Sequence, residues 1–391
     1  MGNGQRNGFV LSSGFGLVEI MVGIVIGLLA ILAATQIYAA FEGQKRTTAH
    51  GGDARTNGMV ALHIIEQDVR PAGYGVMTAG RALPCLTIRA YNSELPGNYT
   101  ITMAPILIHD GGAGADAVTT LYSTASTAGI ATTTLVKAMP DSSAVLDVNS
   151  VIGLKPNDLV VISEPGLDCA LVGVTSVKDV ANNVVHNSGN RPPNNKHNPP
   201  GGHNIFPEPP GCTPSGNPPP RCGYNVGARV TNVGQLVNRR YDIDKDNLRV
   251  TDLSKGATAA VSLVADGVVT MQAVYGVSLN KPPNPIDPTK PADDPSPTGD
   301  NITDWVPATG VWAMVRDAEG NLISPDAVRL RSIRAVRLAL VARSNLQEKT
   351  EVSPATLPLW KDGPSYAVPD QKYRYHVYQT IIPLRNMVWG N

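Results

Sequence analysis

Aromatic side chains are scarce in this chain of 391 residues, at 5%. Charged residues, at 16%, fall well below the roughly 25% of typical soluble domains. The formal net charge is zero. Without surplus positive charge to neutralise phosphates or a basic-aromatic patch on which bases could stack, the composition gives no sign of a nucleic-acid partner. No G-x-S-x-G elbow, Walker loop, dinucleotide fingerprint or H-E-x-x-H pair occurs, so the common hydrolase, nucleotide and zinc-protease chemistries lack their signatures. Cysteines number only four and form no C-x-x-C, which argues against a redox couple or a zinc knuckle. Against these shortages stand 42% hydrophobic residues, enough for a substantial core in one large domain or two, and an abundance of glycine and proline suited to loop-rich β structure.

The most informative stretch is Ser13-Gly14-Phe15-Gly16-Leu17-Val18-Glu19 and the apolar run that it opens. From Phe15 to Phe41 there are 27 residues, with Glu19 as the single charged side chain and Thr35-Gln36 near the far end. At about 1.5 Å per helical residue that length crosses a bilayer. A lone carboxylate within such a segment costs several kcal/mol in lipid and is functional by default. The preceding Met1–Gly14 is short and polar, with Arg6 as its one charge. An ordinary secretory signal is cut after its apolar region at small residues, and no Ala-x-Ala follows at the usual distance. A Gly-Phe step precedes the run instead.

Polar leader, Gly-Phe step, single acid and long apolar helix together resemble the N-terminus of type IV prepilins and the related pseudopilins. The resemblance implies cleavage between Gly14 and Phe15 by the membrane prepilin peptidase, and methylation of the new amino terminus on Phe15. Glu19 then becomes the fifth residue of the mature chain. When helices bundle, its buried carboxylate would be offset by the Phe15 ammonium of an adjacent subunit, which favours correct axial register. Gly23 and Gly27 form a G-x-x-x-G that permits close helix approach, or reflect simple tolerance of glycine in a membrane helix. The alternative for the whole segment is an uncleaved signal anchor with a stray acid.

Past Phe41 the sequence turns polar. Gly51, Gly52 and Gly58 predict a loosened stretch of helix, each weakening a helix interior by up to about 1 kcal/mol. Met59, Leu62, Ile65 and Val69 restore a helical stripe that Pro71 and Gly73 close. Beyond it the pattern is β. Strands are expected at Val118–Tyr122, Leu159–Ile162, Ala170–Val177, Ala260–Ala265, Val268–Tyr275, Val336–Leu340 and Tyr373–Leu384, with a hairpin of Gly234–Ile243 and Leu248–Val250 around residues 244–247. Alternating apolar and polar positions predict antiparallel sheet. Eleven prolines in 192–220 and seven in 282–297 cannot feed ladders or helices, so both segments read as exposed, extended or disordered insertions.

Several blocks resemble PilW-type minor pilins of type IV pili: Ile65–Arg70 followed by Ala72-Gly73-Tyr74; Leu159–Ile162 and Asp168-Cys169-Ala170; Arg239–Ile243; Leu263–Val268 and Met271–Val277; Ala335–Ser344; and Gln379–Asn386. The resemblance implies an α+β, pilin-like fold with a long N-terminal transmembrane helix packed on an antiparallel β-sheet head. Its expected parts are leader 1–14, assembly helix 15–41, second helix half and connection 42–75, and a periplasmic head 76–391 with Pro-rich insertions near 190–222 and 281–304. The implied function is to help initiate pilus assembly within a minor-pilin complex at the tip. Implied partners are other minor pilins, the major pilin, the prepilin peptidase, the inner-membrane assembly machinery and a large tip adhesin, in a system serving twitching, adhesion or DNA uptake. The chain would sit in the inner membrane before assembly and at the pilus tip or cell surface afterwards. No enzymatic activity, cofactor, metal or nucleic acid is expected. The nearest alternative is a minor pseudopilin of type II secretion; a membrane-anchored periplasmic enzyme or binding module is more distant.

In an oxidising periplasm Cys85, Cys169, Cys212 and Cys222 are disulfide candidates. Three pairings exist, of which Cys212–Cys222 with Cys85–Cys169 is favoured and free thiols are the alternative. His186, His197 and His203 fall near the first Pro-rich segment at irregular spacing and read as solvated loop residues rather than metal ligands. Asp242, Asp244 and Asp246 imitate the start of a calcium loop, but Asn247 and Leu253 occupy the positions where Gly and Glu belong, so a hairpin turn is expected.

Overall fold

One uninterrupted helix runs from Leu17 to Val69 in the computed structural model. The structure describes residues 16–78, 81–82, 87–94, 97–124, 132–139, 145–187, 194–199, 205–207, 223–254, 260–278, 301–318 and 322–388. The chain divides into two units, Met1–Asp53 and Ala54–Asn391. In the first unit, Leu17–Tyr38 is long and apolar enough to cross a membrane, and its side chains are exposed.

The expected loosening at Gly51, Gly52 and Gly58 is not found, because helix propensity is a weak bias that tertiary packing overrides. Gly58 shows how. A Cβ at this position would lie 2.2 Å from the Tyr378 ring, so the glycine is what lets the ring close against the helix. Gly58 belongs to a buried stripe with Ala54, Ala61, Ile65 and Val69 at spacings of three and four residues, one face of an α-helix. Small residues in its first half permit close approach, and larger ones in its second half fill the core. Pro71 follows the helix, and Gly73 and Gly75 take positive φ (81° and 69°), as a chain reversal there requires.

In the second unit the helix faces two sheets. The first has five strands in the order Val261–Asp266, Asn247–Asp252, Leu236–Asp244, Ala117–Ser123, Ile106–His109. The second has four, in the order Asp304–Pro307, Val268–Val277, Ile333–Arg343, Tyr375–Pro383. Every pairing within both is antiparallel. Ile65 and Val69 share one core with Val118 and Tyr241 of the first sheet and with Leu338 and Leu340 of the second. The opposite face of the five-stranded sheet, through Leu121 and Leu236, packs on Val161 and Leu171 of a third, six-stranded sheet. That sheet's far face carries a further cluster around Val160, Ile162 and Val172.

Most expected strands are present, with two departures. The six-stranded sheet contains a parallel pair, Cys169–Gly173 beside Thr87–Asn92, which the long connection between them allows. The single strand expected over Ala170–Val177 is two: pairing stops at Gly173 and resumes at Ser176 in another, three-stranded sheet. The hairpin turn falls as expected, with Lys245 and Asp246 both at positive φ (50° and 61°), the signature of a two-residue primed turn.

The first Pro-rich segment corrects its expectation in part. Asn198 is buried, and its side chain clasps the Gly173 backbone twice: Oδ1 accepts from Gly173 N at 2.9 Å and Nδ2 donates to Gly173 O at 2.8 Å. Ile205 and Phe206 are buried in the core with Val172 and Tyr224. Side chains within the proline-rich stretch thus pack inward, because the prolines forbid ladder bonds but not apolar burial. The second Pro-rich segment lies outside the described residues.

Replacing Gly58 by alanine should destabilise the protein by about 1–3 kcal/mol, the usual range for overpacking, despite alanine's better helix propensity. Thermal unfolding of Gly58→Ala, Tyr378→Ala and the double variant checks this: the two losses should be strongly non-additive, and additive losses would refute the contact.

Candidate functional site

The helix begins at Leu17 and carries Glu19 in its first turn. Glu19 is exposed, and its Oε2 accepts a hydrogen bond from the Gly16 amide at 3.3 Å, a position also favoured by the helix dipole. Around it Leu17, Val18 and Met21 are exposed, and a Cβ at Gly23 or Gly27 would meet nothing within 4 Å. The helix therefore presents a carboxylate among bare apolar side chains, with two gaps into which another helix could settle. Gly14 and Phe15 lie outside the described residues.

Near its other end the same helix is fixed by Asp68, which is 8% exposed. Arg239 Nη1 donates to Asp68 Oδ1 at 3.0 Å and to Oδ2 at 2.8 Å. The Tyr122 hydroxyl donates to Oδ1 at 2.9 Å, and the Tyr241 hydroxyl to Oδ2. Thr120 Oγ1 reaches the Asp68 carbonyl at 3.2 Å. The four partners come from two adjacent strands, and the register places them on one sheet face, that of the shared core. Burial, and then the Asp68 charge, push the Tyr122 phenol up to about 12 and raise that of Tyr241 further. Both phenols therefore remain donors at any physiological pH.

A second buried carboxylate links the two sheets. Asp116 Oδ1 accepts from Gly111 N at 2.9 Å and Oδ2 from Ala273 N at 2.8 Å, while its own amide donates to Met271 O at 2.8 Å. Burial raises its pKa above the ordinary aspartate value. Asp242, Asp244 and Asp246 meet arginines: Arg249 reaches Asp242 and Asp244 at 2.8 Å each, and Arg343 reaches Asp246 at 2.7 Å. Among the described residues no group of three or more His, Cys, Asp or Glu could hold a metal ion.

The histidines correct an expectation. His186 is buried, 5.9 Å from the Phe206 ring centroid, and is not a solvated loop residue. His197 is half-buried in a short 3-10 turn, Asn194–His197. His203 lies outside the described residues. Cys169 is buried and disulfide-bonded, whereas Cys85, Cys212 and Cys222, and with them the favoured pairing, lie outside the described residues.

Residues 223–386 match a family model described as type IV pilus-assembly protein W. The match links this part of the chain to type IV pilus assembly. It spans the Arg239 and Tyr241 side of the Asp68 cluster and all of the four-stranded sheet. No curated protein and no solved structure matches the chain.

The Asp68 cluster is the feature that sequence reasoning missed. A signal was present: Asp68 sits between Ile65 and Val69 on the stripe that must be buried, and an acid there needs a cation and donors. Arg239 and Tyr241, two residues apart on an alternating strand, supply them.

Asp68→Ala should cost about 2–4 kcal/mol, below the full range for a broken buried pair because Arg239 is partly exposed. Tyr122→Phe should cost about 1 kcal/mol. Chemical unfolding monitored by tryptophan fluorescence measures both. A pH dependence follows from two other groups. Burial, reinforced by Arg240 and Arg316, lowers His109 to about 4, and burial with Lys196 lowers His197 to about 4. Both imidazoles stay neutral in the fold while the unfolded chain takes up protons near pH 6.5. Their contribution is complete above that pH and is lost as pH falls toward 4, by about 1–2 kcal/mol each at pH 5. Unfolding midpoints measured from pH 7 to pH 5 should fall, and His109→Gln should flatten the dependence.

Proposed function

We propose that the chain is a minor pilin that helps initiate type IV pilus assembly and sits in a minor-pilin complex at the pilus tip. The observation that carries this reading is the coincidence, on one chain, of the pilus-assembly match over residues 223–386 with an N-terminal apolar helix bearing Glu19 in its first turn. The precursor would be cut between Gly14 and Phe15 and methylated on Phe15, with its head in the periplasm. Its action would be assembly, not catalysis. Exposed apolar side chains supply cohesion between helices, and the β head supplies choice of neighbour. Glu19 supplies register: a carboxylate drawn into a helix bundle is stable only opposite a cation, and the Phe15 ammonium of the adjacent subunit is the nearest one that a parallel bundle provides. Other minor pilins, the major pilin, the peptidase and the inner-membrane assembly machinery are the partners of this scheme, with a tip adhesin above it.

Intact mass and N-terminal sequence of the protein made with and without a prepilin peptidase test the first step. The expected product starts at methylated Phe15 only when the peptidase is present. In cells, Glu19→Ala should leave the amount and processing of the protein unchanged while reducing surface pili at least severalfold. A product that still starts at Met1, or normal piliation with Glu19→Ala, would overturn the reading.

A further inference from the structure

The four-stranded sheet has one face in the helix core and another turned away from it. On the outer face, Gln272, Val274, Arg337, Gln379 and Ile381 are neighbours by register. One half of this face, at Ala339 and Val341, is covered by Leu359, Trp360 and Tyr375. The other half is open as a groove of about 1110 Å³, walled by Trp305 and Trp360. Two of the chain's four tryptophans thus border one groove, in a protein otherwise poor in aromatics.

Arg337 lies in this groove with its Cζ 4.2 Å from the centroid of the Trp305 ring. Trp305 in turn lies against Gly276, where a Cβ would come within 2.8 Å of the indole. The guanidinium therefore sits over a ring that is itself seated on the sheet. Among the described residues, no carboxylate and no other acceptor takes its N–H groups. Three acids also line the groove: Asp116 accepts from the amides of Gly111 and Ala273, Asp110 from the amide of Gly112 at 2.8 Å, and Asp362 follows Lys361, a second cation of the lining.

The same strand shows what completes such a unit. Arg343, on the same face, stacks on Tyr373 at 4.3 Å and grips the Asp246 carboxylate at 2.7 Å. Arg337 on Trp305 is the same device with the carboxylate missing. A stacked, planar fork is suited to bidentate carboxylate recognition.

What carries the carboxylate follows from the floor. The main-chain groups of the central strands are engaged in their own ladders, so an extended peptide lying here would find no backbone partners of the kind a sheet edge offers. The groove offers side-chain amides instead: Gln379 is exposed, and Gln272, whose Nε2 donates to Gly114 O at 2.7 Å, keeps its carbonyl as an acceptor. Those groups match hydroxyls. The volume lies at the upper end for small-molecule sites, which suits an oligomer better than a single sugar. We propose that this groove binds an acidic oligosaccharide, with Arg337 forking a uronate carboxylate and Gln379 meeting its hydroxyls. This site is separate from the assembly reading and does not depend on it.

The test is titration of the full chain in detergent micelles with oligogalacturonate, followed by tryptophan fluorescence and calorimetry. Neutral malto-oligosaccharides and oligoglutamate serve as comparisons. The expected result is saturable binding to oligogalacturonate that weakens with salt and drops at least tenfold in Arg337→Gln. Arg337→Lys, which keeps the charge and loses the fork, should fall between. Gln379→Ala, at an exposed position, should weaken binding severalfold with an unchanged unfolding midpoint, and it stands as the second variant should Arg337→Gln unfold. No saturable binding by the unaltered protein, equal binding of neutral sugars, or unchanged affinity in folded Arg337→Gln and Gln379→Ala would each overturn the proposal. Oligoglutamate bound as tightly as oligogalacturonate would overturn the saccharide assignment in favour of an acidic peptide.

Discussion

A carboxylate on a helix face that must be buried sets the terms for the rest of the head. Asp68 lies among Ile65, Val69 and the sheet, where an uncompensated charge is prohibitive. Its compensation is spread over Arg239, Tyr241 and Tyr122, drawn from two neighbouring strands. Those donors converge only if the strands hold one register, since a slip of one residue would turn all of them to the opposite face. Apolar burial on its own is non-directional and would tolerate sliding of helix on sheet. The Asp68 cluster adds direction, fixing helix, register and sheet face at once. Asn386, near the end of the chain, donates to the Pro71 carbonyl just past the helix, so the last segment closes over the same place.

From that seat, the layers follow by exhaustion of apolar faces. The five-stranded sheet buries both faces, one under the helix and one against the six-stranded sheet. The four-stranded sheet buries one face and half of the other. A sheet face left half-covered retains outward side chains in fixed order, and in this head those are the amides and the guanidinium of the groove. The two arginines of that face, Arg337 and Arg343, lie six residues apart on one strand and each rests on an aromatic ring, so the spacing of the pleat alone sets the distance between the two units.

Much of this was readable in advance where one physical rule dominated. The apolar run after Gly16 had to be a helix by length and composition. The strands Val268–Val277 and Ile333–Arg343, and the hairpin at Lys245-Asp246, announced themselves by alternation and turn chemistry. What escaped was set by contacts between distant residues. Gly58 read as a helix breaker because its benefit lies in Tyr378, 320 positions away. The strands Thr87–Asn92 and Arg229–Gly234 carry polar residues at buried positions, such as Thr87, Asn92 and Asn232, which blur alternation. Asp68 was visible as an acid on an apolar stripe, yet its partners could be paired with it only after the register of two strands was known.

Asn198 bears on how a stretch rich in proline can be held to a sheet at all. Its side-chain amide presents one acceptor and one donor to Gly173, the same two-bond exchange that a strand residue would make, so a proline-rich stretch is buttoned to a sheet without joining it. Ile205 and Phe206 make a second fastening, by apolar burial alone. A segment that prolines bar from any ladder is thus fixed by one amide and two apolar side chains, an attachment that uses no main-chain donor of its own.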